Sequence, residues 1–301
     1  MPDDSAERVK AFPADWWKLP VVAETLAKCF AEHLVALEVA YLSDGRPAHA
    51  VFTGFLLRLA LLDLWVTAGH VIETIRELLE HPRVRIIRAG LLDGYQQEGA
   101  TTIPVPLADL PLFSTGAPLD FGTIALRKAY VAPIIGNPRF RPLTPVVWKN
   151  HDRAQAEGFY IVGMPAKWVE VREIGARPGE VLRKATMSIA CIPVERIQPN
   201  SEAEPKDFWS HEGAFYGRLL PVAYDDGTPL DDIAGMSGGP VFSIERTDEG
   251  QFRYYLFGIQ SAWLPASRII RAAPIAQVAD LIRRGMAYAL DEGGERAETQ
   301  P

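Results

Sequence analysis

Short apolar runs separated by turn signals make up most of this 301-residue sequence and restrict what it can fold into. From Leu34 onward, runs rich in Val, Ile, Phe, Tyr and Trp recur at short intervals. Clusters of Gly, Pro, Asp and Ser separate them, as in 43–47, SDGRP. Strands of this kind are typical of antiparallel sandwiches and barrels. The pattern therefore predicts an all-β chain.

The spacing of apolar residues also predicts where the strands lie and where helices replace them. Helical spacing occurs over Ala14–Leu34, Val71–Leu79 and Pro274–Ala289. The predicted strands are Leu34–Leu42, Ala48–Leu59, Leu61–Thr67, Val84–Ala89, Thr101–Val105, Ile124–Leu126, Val146–Trp148, Gly158–Gly163, Ala185–Ile192, Phe215–Val222, Pro240–Ile244 and Tyr254–Ser261.

The proline-rich stretch Arg127–Pro145 has a loop-like composition and is the natural boundary between two β units. We therefore expect an N-terminal helical extension over 1–33 and a first β unit over 34–140. A second β unit with a C-terminal helix is expected over 141–290. The polar tail 291–301 is expected to be disordered.

Composition argues against several classes of partner. The formal net charge is −7, from 38 acidic and 31 basic residues, so no basic face for nucleic acid or an anionic membrane is expected. The two cysteines lie far apart without metal-ligand spacing, and neither a metal nor another cofactor is expected. The low cysteine count and the acidic N-terminus, which lacks signal-peptide order, indicate a cytoplasmic protein. The most apolar window, Ala48–Ile72, contains charged residues and is not predicted to span a membrane.

The sharpest chemical signal is the block Gly235-Met236-Ser237-Gly238-Gly239-Pro240. Glycines permit a tight backbone turn that a Cβ would obstruct. Such a turn can direct the amides of Gly235 and Ser237 into one concavity, where they could stabilise a developing oxyanion. On local features the block could also be a Gly-Ser surface turn that only links two strands.

Two further blocks provide residues that could activate a serine. In Val66-Thr67-Ala68-Gly69-His70, an apolar strand ends in small residues and then an imidazole, although a lone histidine can also be structural. Asp120 lies at the start of the apolar run 121–126, where it could orient the imidazole or merely cap a turn after Pro118. Weaker acid candidates are Asp63, Asp93 and Asp109.

The order His70, Asp120, Ser237, within VTAGH, LDFGTIAL and GMSGGP, resembles the trypsin/chymotrypsin-like serine peptidases of the bacterial, intracellular type. The runs 53–57, 158–165 and 257–261 also resemble strands of that family. The resemblance implies two six-stranded antiparallel Greek-key barrels with a His70–Asp120–Ser237 triad between them. It implies serine endopeptidase activity on a protein or peptide substrate through an acyl-enzyme.

The departures from the family pattern carry expectations of their own. Met236 replaces the acid that pairs with a newly cut N-terminus in secreted members, so the full-length chain is expected to need no cleavage. The N-terminal helix is outside the family core and could contact a regulatory partner. The alternative is a catalytically inactive or partner-gated binding protein that retains the fold.

Substrate preference rests on three residues that the resemblance places at the primary pocket. Asp231 lies six residues before the serine, where a carboxylate would favour Lys or Arg. Ser261 belongs to the strand lining the cleft, and Trp263, where family members that admit large side chains carry glycine, could narrow the pocket. Asp231 and its neighbour Asp232 could also be solvated turn acids. The sequence favours a weak preference for basic residues, limited by Trp263.

Overall fold

The computed structural model is mostly antiparallel β-sheet with few helices. In the part of the chain described below, no helix has both the length and the apolar character needed to cross a bilayer. The predicted disordered tail 291–301 and the start of the chain lie outside the described residues. The structure describes residues 15–59, 62–93, 102–117, 119–137, 140–148, 156–175, 181–199, 205–209, 213–221, 230, 232–247 and 249–284.

Eight strands of the first half form two four-stranded antiparallel sheets around one core. The core buries apolar side chains from both sheets, among them Leu37, Leu56 and Trp65. The strands are β1 (Val35–Ser43), β2 (Arg46–Phe52), β3 (Phe55–Leu59), β4 (Leu62–Ala68), β5 (Val84–Asp93), β6 (Ile103–Pro104), β7 (Leu112–Ser114) and β8 (Phe121–Leu126). Their order is β2-β1-β5-β6 in one sheet and β3-β4-β8-β7 in the other.

The first half therefore differs from the predicted closed six-stranded barrel. Among its described residues, no strand of one sheet forms a ladder with a strand of the other, and an isolated bridge links Leu34 to Phe55. The predicted strand Ala48–Leu59 is divided at Gly54, where a Cβ would lie 2.5 Å from the Trp65 ring. The Trp65 indole donates to the Val35 carbonyl at 2.8 Å. This side chain thus occupies the corner between the sheets and satisfies a β1 carbonyl there.

The second half contains the predicted six-stranded barrel. Its strand order closes as β12-β13-β16-β15-β14-β9, and a separate hairpin, β10-β11, lies outside it. The strands are β9 (Gly158–Gly163), β10 (Val169–Gly175), β11 (Val181–Met187), β12 (Ala190–Arg196), β13 (Phe215–Leu219), β14 (Pro240–Arg246), β15 (Phe252–Leu264) and β16 (Ile269–Pro274). Alternate residues such as Ile161, Val241 and Ile270 fill the interior.

Helices pack on both halves of the molecule. Besides the C-terminal helix over 275–284, they are α1 (Pro20–Ala31), α2 (Gly69–Glu80), α3 (Lys128–Ile135), α4 (Pro145–Trp148) and α5 (Lys206–Trp209). Helices α1 and α4 lie on the barrel, and α2 and α3 lie on the sheets of the first half. Helix α1 packs on the barrel through Phe30, whose ring stacks on Phe242 with centroids 4.3 Å apart. Its opposite side exposes Val21. The outer face of β9 is buried against this layer, which explains why β9 is apolar throughout rather than alternating.

Two predictions in the connecting segment are wrong. The run Val146–Trp148 is not a strand but part of α4, where Pro145 takes the first helical position and Trp148 is buried. Burial of Trp148 outweighs the β-propensity of the two valines. The stretch Arg127–Pro145, expected to be a loop, contains α3 with Pro133 inside it. A proline removes only one hydrogen bond from a helix, and burial of Val131 and Ile134 offsets that loss.

His33 follows α1 and is a buried histidine whose proton position the surroundings fix. Its Nδ1 lies 2.5 Å from the Arg141 carbonyl oxygen, and its Nε2 lies 2.8 Å from the Tyr254 hydroxyl. Because a carbonyl only accepts, Nδ1 carries the proton and Nε2 accepts from Tyr254. Burial lowers the pKa of His33 to about 4, since the imidazolium is poorly solvated there.

We expect this histidine to make the fold sensitive to mild acid. The unfolded chain binds the proton near pH 6.5, whereas the folded chain resists it until about pH 4. The free energy of unfolding should therefore fall as the pH drops through this window, by about 3 kcal/mol in total. Denaturant titrations at several pH values should show a flatter dependence for His33→Gln than for the wild type. Identical pH dependence of the two proteins would contradict the assignment.

Candidate active site

The serine block forms a turn that leads into β14 and requires two of its glycines. Gly235 and Gly238 both have φ of +91°, a backbone conformation that L side chains rarely adopt. A Cβ on Gly238 would also lie 2.6 Å from the Thr53 carbonyl oxygen, and closer still to the Thr67 hydroxyl. The turn therefore rests directly on the first half of the molecule, which leaves no room for a side chain at Gly238.

Hydrogen bonds hold this turn from both halves. On the first-half side, the Thr53 hydroxyl donates to the Gly235 carbonyl at 2.7 Å, and the Thr67 hydroxyl donates to the Thr53 carbonyl at 2.8 Å. On the barrel side, the Gly238 amide donates to the Gln260 carbonyl at 2.8 Å. Ser237, which is half-buried, is consequently held at the junction between the two halves.

The backbone amides of Gly235 and Ser237, which are predicted to hold an oxyanion, differ from the neighbouring amides in their hydrogen bonding. The Met236 amide donates to the Ile233 carbonyl, and the Gly238 amide donates to Gln260. Among the described residues, no acceptor is recorded for the Gly235 or Ser237 amide. Two amides of the serine turn are thus left to interact with a substrate oxygen.

His70 is positioned by the junction between β4 and α2. Strand β4 ends at Ala68, and His70 is the second residue of α2. Gly69 is needed between them, because a Cβ there would lie 2.8 Å from the Asp120 carboxylate. The His70 side chain is 50% exposed, so its ring is accessible rather than packed in a core.

Asp120 accepts two hydrogen bonds from His70. Its Oδ1 accepts from the His70 amide at 2.9 Å, and its Oδ2 lies 3.0 Å from the ring Nδ1. Only 13% of its side chain is exposed, and its φ of +47° places it in the left-handed region. A carboxylate at the N-terminus of α2 is also favourable to the helix dipole. Asp120 therefore both caps a helix and fixes the His70 ring, with the Nδ1 proton directed at the carboxylate.

The segments that carry Ser237 and His70 pack against each other, but no hydrogen bond joins the two side chains in the described structure. Gly238, next to Ser237, is packed against Thr67, three residues before His70. Catalytic hydrogen bonds are often long without substrate and tighten when it binds. The arrangement can therefore supply a hydroxyl, an oriented imidazole and two amides at one junction.

The alternative acids lie elsewhere. Asp63 is held by Arg58, whose Nε donates to it at 2.8 Å, and Asp109 lies in an exposed 3-10 turn. Asp93 ends β5. Among the acidic residues that the structure describes, only Asp120 is recorded with a hydrogen bond to His70.

The predicted pocket residues have different outcomes. Asp231 lies outside the described residues. Ser261 is buried, and its hydroxyl donates to the Arg271 carbonyl at 3.4 Å. Trp263 packs against the barrel cluster that contains Ile233, Met236 and Ile270, close to the serine turn. Its role in narrowing a pocket stays a prediction.

Arg271 is a candidate that the sequence-based reasoning missed. It lies in β16 and is only 9% exposed. The available signal was a single charge within the apolar strand 269–274, IIRAAP.

In the described part of the chain, no three His, Cys, Asp or Glu side chains converge to hold a metal ion.

Comparison with known protein families finds no family model that matches this chain. Comparison with curated proteins finds no match either. Neither comparison therefore assigns the chain to a family.

Solved structures do show similarity. A catalytically inactive tobacco etch virus protease complexed with substrate shares 12% identity, covers 82% of this chain and 79% of its own, and has a TM-score of 0.35. The catalytically active enzyme complexed with product shares 12% identity, covers 82% of this chain and 75% of its own, and has a TM-score of 0.37. Protease Anisep from Arthrobacter nicotinovorans shares 17% identity, covers 81% of this chain and 90% of its own, and has a TM-score of 0.39. At these TM-scores the likeness carries no argument, and the chain is similar to these proteases without being assigned to their family.

Proposed function

We propose that this protein is a chymotrypsin-like serine endopeptidase that hydrolyses peptide bonds through an acyl-enzyme. The observation that carries the proposal is the His70–Asp120 pair, with hydrogen bonds of 2.9 and 3.0 Å, at the strand end on which the serine turn rests. A hydroxyl, an oriented imidazole and free amides in one place are the components that acyl transfer needs.

In the proposed mechanism, His70 takes the proton of the Ser237 hydroxyl as the oxygen attacks the substrate carbonyl. The Gly235 and Ser237 amides stabilise the oxyanion of the tetrahedral intermediate. His70 then gives its proton to the leaving amine, and the acyl-enzyme forms. Water, deprotonated by His70, releases the acid product and restores the Ser237 hydroxyl. Asp120 holds the imidazole in the required tautomer throughout.

We also propose that the full-length chain is active without N-terminal cleavage. Met236 is fully buried in the barrel cluster, and Gly163 is packed against it. An apolar side chain here needs no ion pair with a new N-terminus. For the primary pocket, we retain the proposal that Asp231 favours basic residues and that Trp263 limits their access.

The alternative is a binding protein that has the same fold but is catalytically inactive, or one that is controlled by a partner bound at the N-terminal helix. The observation that favours it is the lack of a hydrogen bond between His70 and Ser237, both of which the structure describes. An unactivated serine hydroxyl is a weak nucleophile. The two functions therefore differ in whether Ser237 reacts.

Covalent labelling with a fluorophosphonate separates the two functions. We expect wild-type protein to be labelled and Ser237→Ala to be unlabelled, because the probe needs an activated serine. Ser243→Ala is the matched control, since Ser243 lies on β14 just beyond the turn and is buried. It should be labelled as the wild type is. Folded wild-type protein that stays unlabelled would favour the binding protein.

A further inference from the structure

Arg271 presents a buried positive charge on the outer face of the barrel, on the strand next to the one that contains Ser261. Its neighbours Ile270 and Ala272 face the barrel interior, so Arg271 points the opposite way. In the sheet, Arg271 lies opposite Ala262 of β15 on one side and opposite Tyr216 of β13 on the other. Ala262 directly follows Ser261 on the strand that holds the serine turn through Gln260.

The guanidinium of Arg271 has no matching anion among the residues that the structure describes. Its Nε is buried without a hydrogen-bond acceptor, and within the described residues no carboxylate forms an ion pair with it. Its nearest recorded contact is the Phe208 ring, whose centroid lies 5.6 Å from Cζ. Burial lowers the pKa of Arg271, and the Asp120 carboxylate and the Tyr216 hydroxyl raise it only in part.

Buried charges are costly unless they are paired, and arginine matches a carboxylate with two parallel hydrogen bonds. Asp120 acts on Arg271 electrostatically, yet both of its oxygens are committed to His70. The aromatic side chains of Phe208 and Tyr216 on this face limit access of water, which strengthens any ion pair formed there. Among the described residues Arg271 therefore has no carboxylate bound to it, and a bound peptide can supply one.

We propose that Arg271 is a specificity residue that binds the side-chain carboxylate of an Asp or Glu in the substrate peptide. The proposal rests on the proposed peptidase function and adds a substrate class to it. The charge of Arg271 is opposite to that of Asp231, so we expect the two residues to bind side chains at different positions of one substrate peptide.

The test measures peptide binding separately from cleavage. A C-terminally amidated peptide library, with Asp or Glu exchanged for Asn or Gln at each position, is bound to Ser237→Ala protein. We expect acidic peptides to bind about ten- to hundredfold more tightly than their amides at one position, as for a charge-assisted hydrogen-bonded pair. The preference should vanish with added Arg271→Gln and persist in part with Arg271→Lys. Arg253→Gln, which removes an exposed arginine on β15, is the control and should leave it unchanged.

The outcomes separate this inference from the proposed function. Equal binding of acidic and amide peptides would overturn the inference even if wild-type protein cleaves the library. A preference that Arg271→Gln leaves intact, or one that appears only with free C-termini, would also overturn it. If Arg271→Gln does not fold, the Arg271→Lys variant still reports the preference. Arg271-dependent binding without cleavage by wild-type protein would support the carboxylate site and count against the peptidase.

Discussion

Ser237→Ala and His70→Ala should each remove nearly all hydrolysis, by about 10⁶-fold in kcat as in other serine triads. In the proposed mechanism the hydroxyl is the attacking group and the imidazole is its base, so neither has a substitute. We expect the melting temperature to stay close to that of the wild type. His70 is half exposed and Ser237 is half-buried, and neither belongs to an apolar core cluster.

Kinetics on a peptide substrate and thermal unfolding of the same preparations test this prediction together. Loss of activity accompanied by a large drop in melting temperature would indicate that the residues support the fold rather than the reaction. Retained turnover in Ser237→Ala would show that another group attacks the substrate.

Asp120→Asn should lower kcat by about 10⁴-fold, the size of the loss when an asparagine stabilises the wrong imidazole tautomer. The amide can still accept from the His70 backbone, so the turn should persist. Its NH₂ group would, however, face Nδ1 and compete for the position of the Nδ1 proton. Steady-state kinetics measures the loss, and circular dichroism checks the fold.

Asp63→Asn is the matched control for that variant. Asp63 is bound to Arg58, and among the described residues it has no hydrogen bond to His70. We expect Asp63→Asn to affect stability more than kcat. If Asp120→Asn is fully active while Asp63→Asn is not, the orienting acid has been assigned to the wrong residue.

The strand pattern and the serine and histidine blocks could be read from the sequence because each is local. The turn of 235–239 needs glycine at fixed positions, and the structure uses Gly235 and Gly238 in the left-handed region. The apolar run 158–163 likewise predicts a strand that becomes β9. Alternation along a strand is set by its own residues, so these features do not depend on distant parts of the chain.

Features that depend on distant contacts could not be predicted. The break in the first half arises where Trp65 packs against Gly54, and nothing in either local sequence signals that meeting. Helix α4 replaces a predicted strand because Trp148 is buried by its surroundings. Arg271 appears in the sequence as one charge in an apolar strand, and only the fold shows that it lies beside Ser261 with an unpaired Nε.

In the proposed mechanism Ser237 and His70 act as one catalytic unit, although no hydrogen bond joins them in the described structure. The most direct test compares kcat of Ser237→Ala, His70→Ala and the double variant on one peptide substrate. If the residues act together, the double variant should be no slower than either single variant, as in other serine triads. Losses that multiply in the double variant would contradict the claim, because they would show that the two side chains contribute independently.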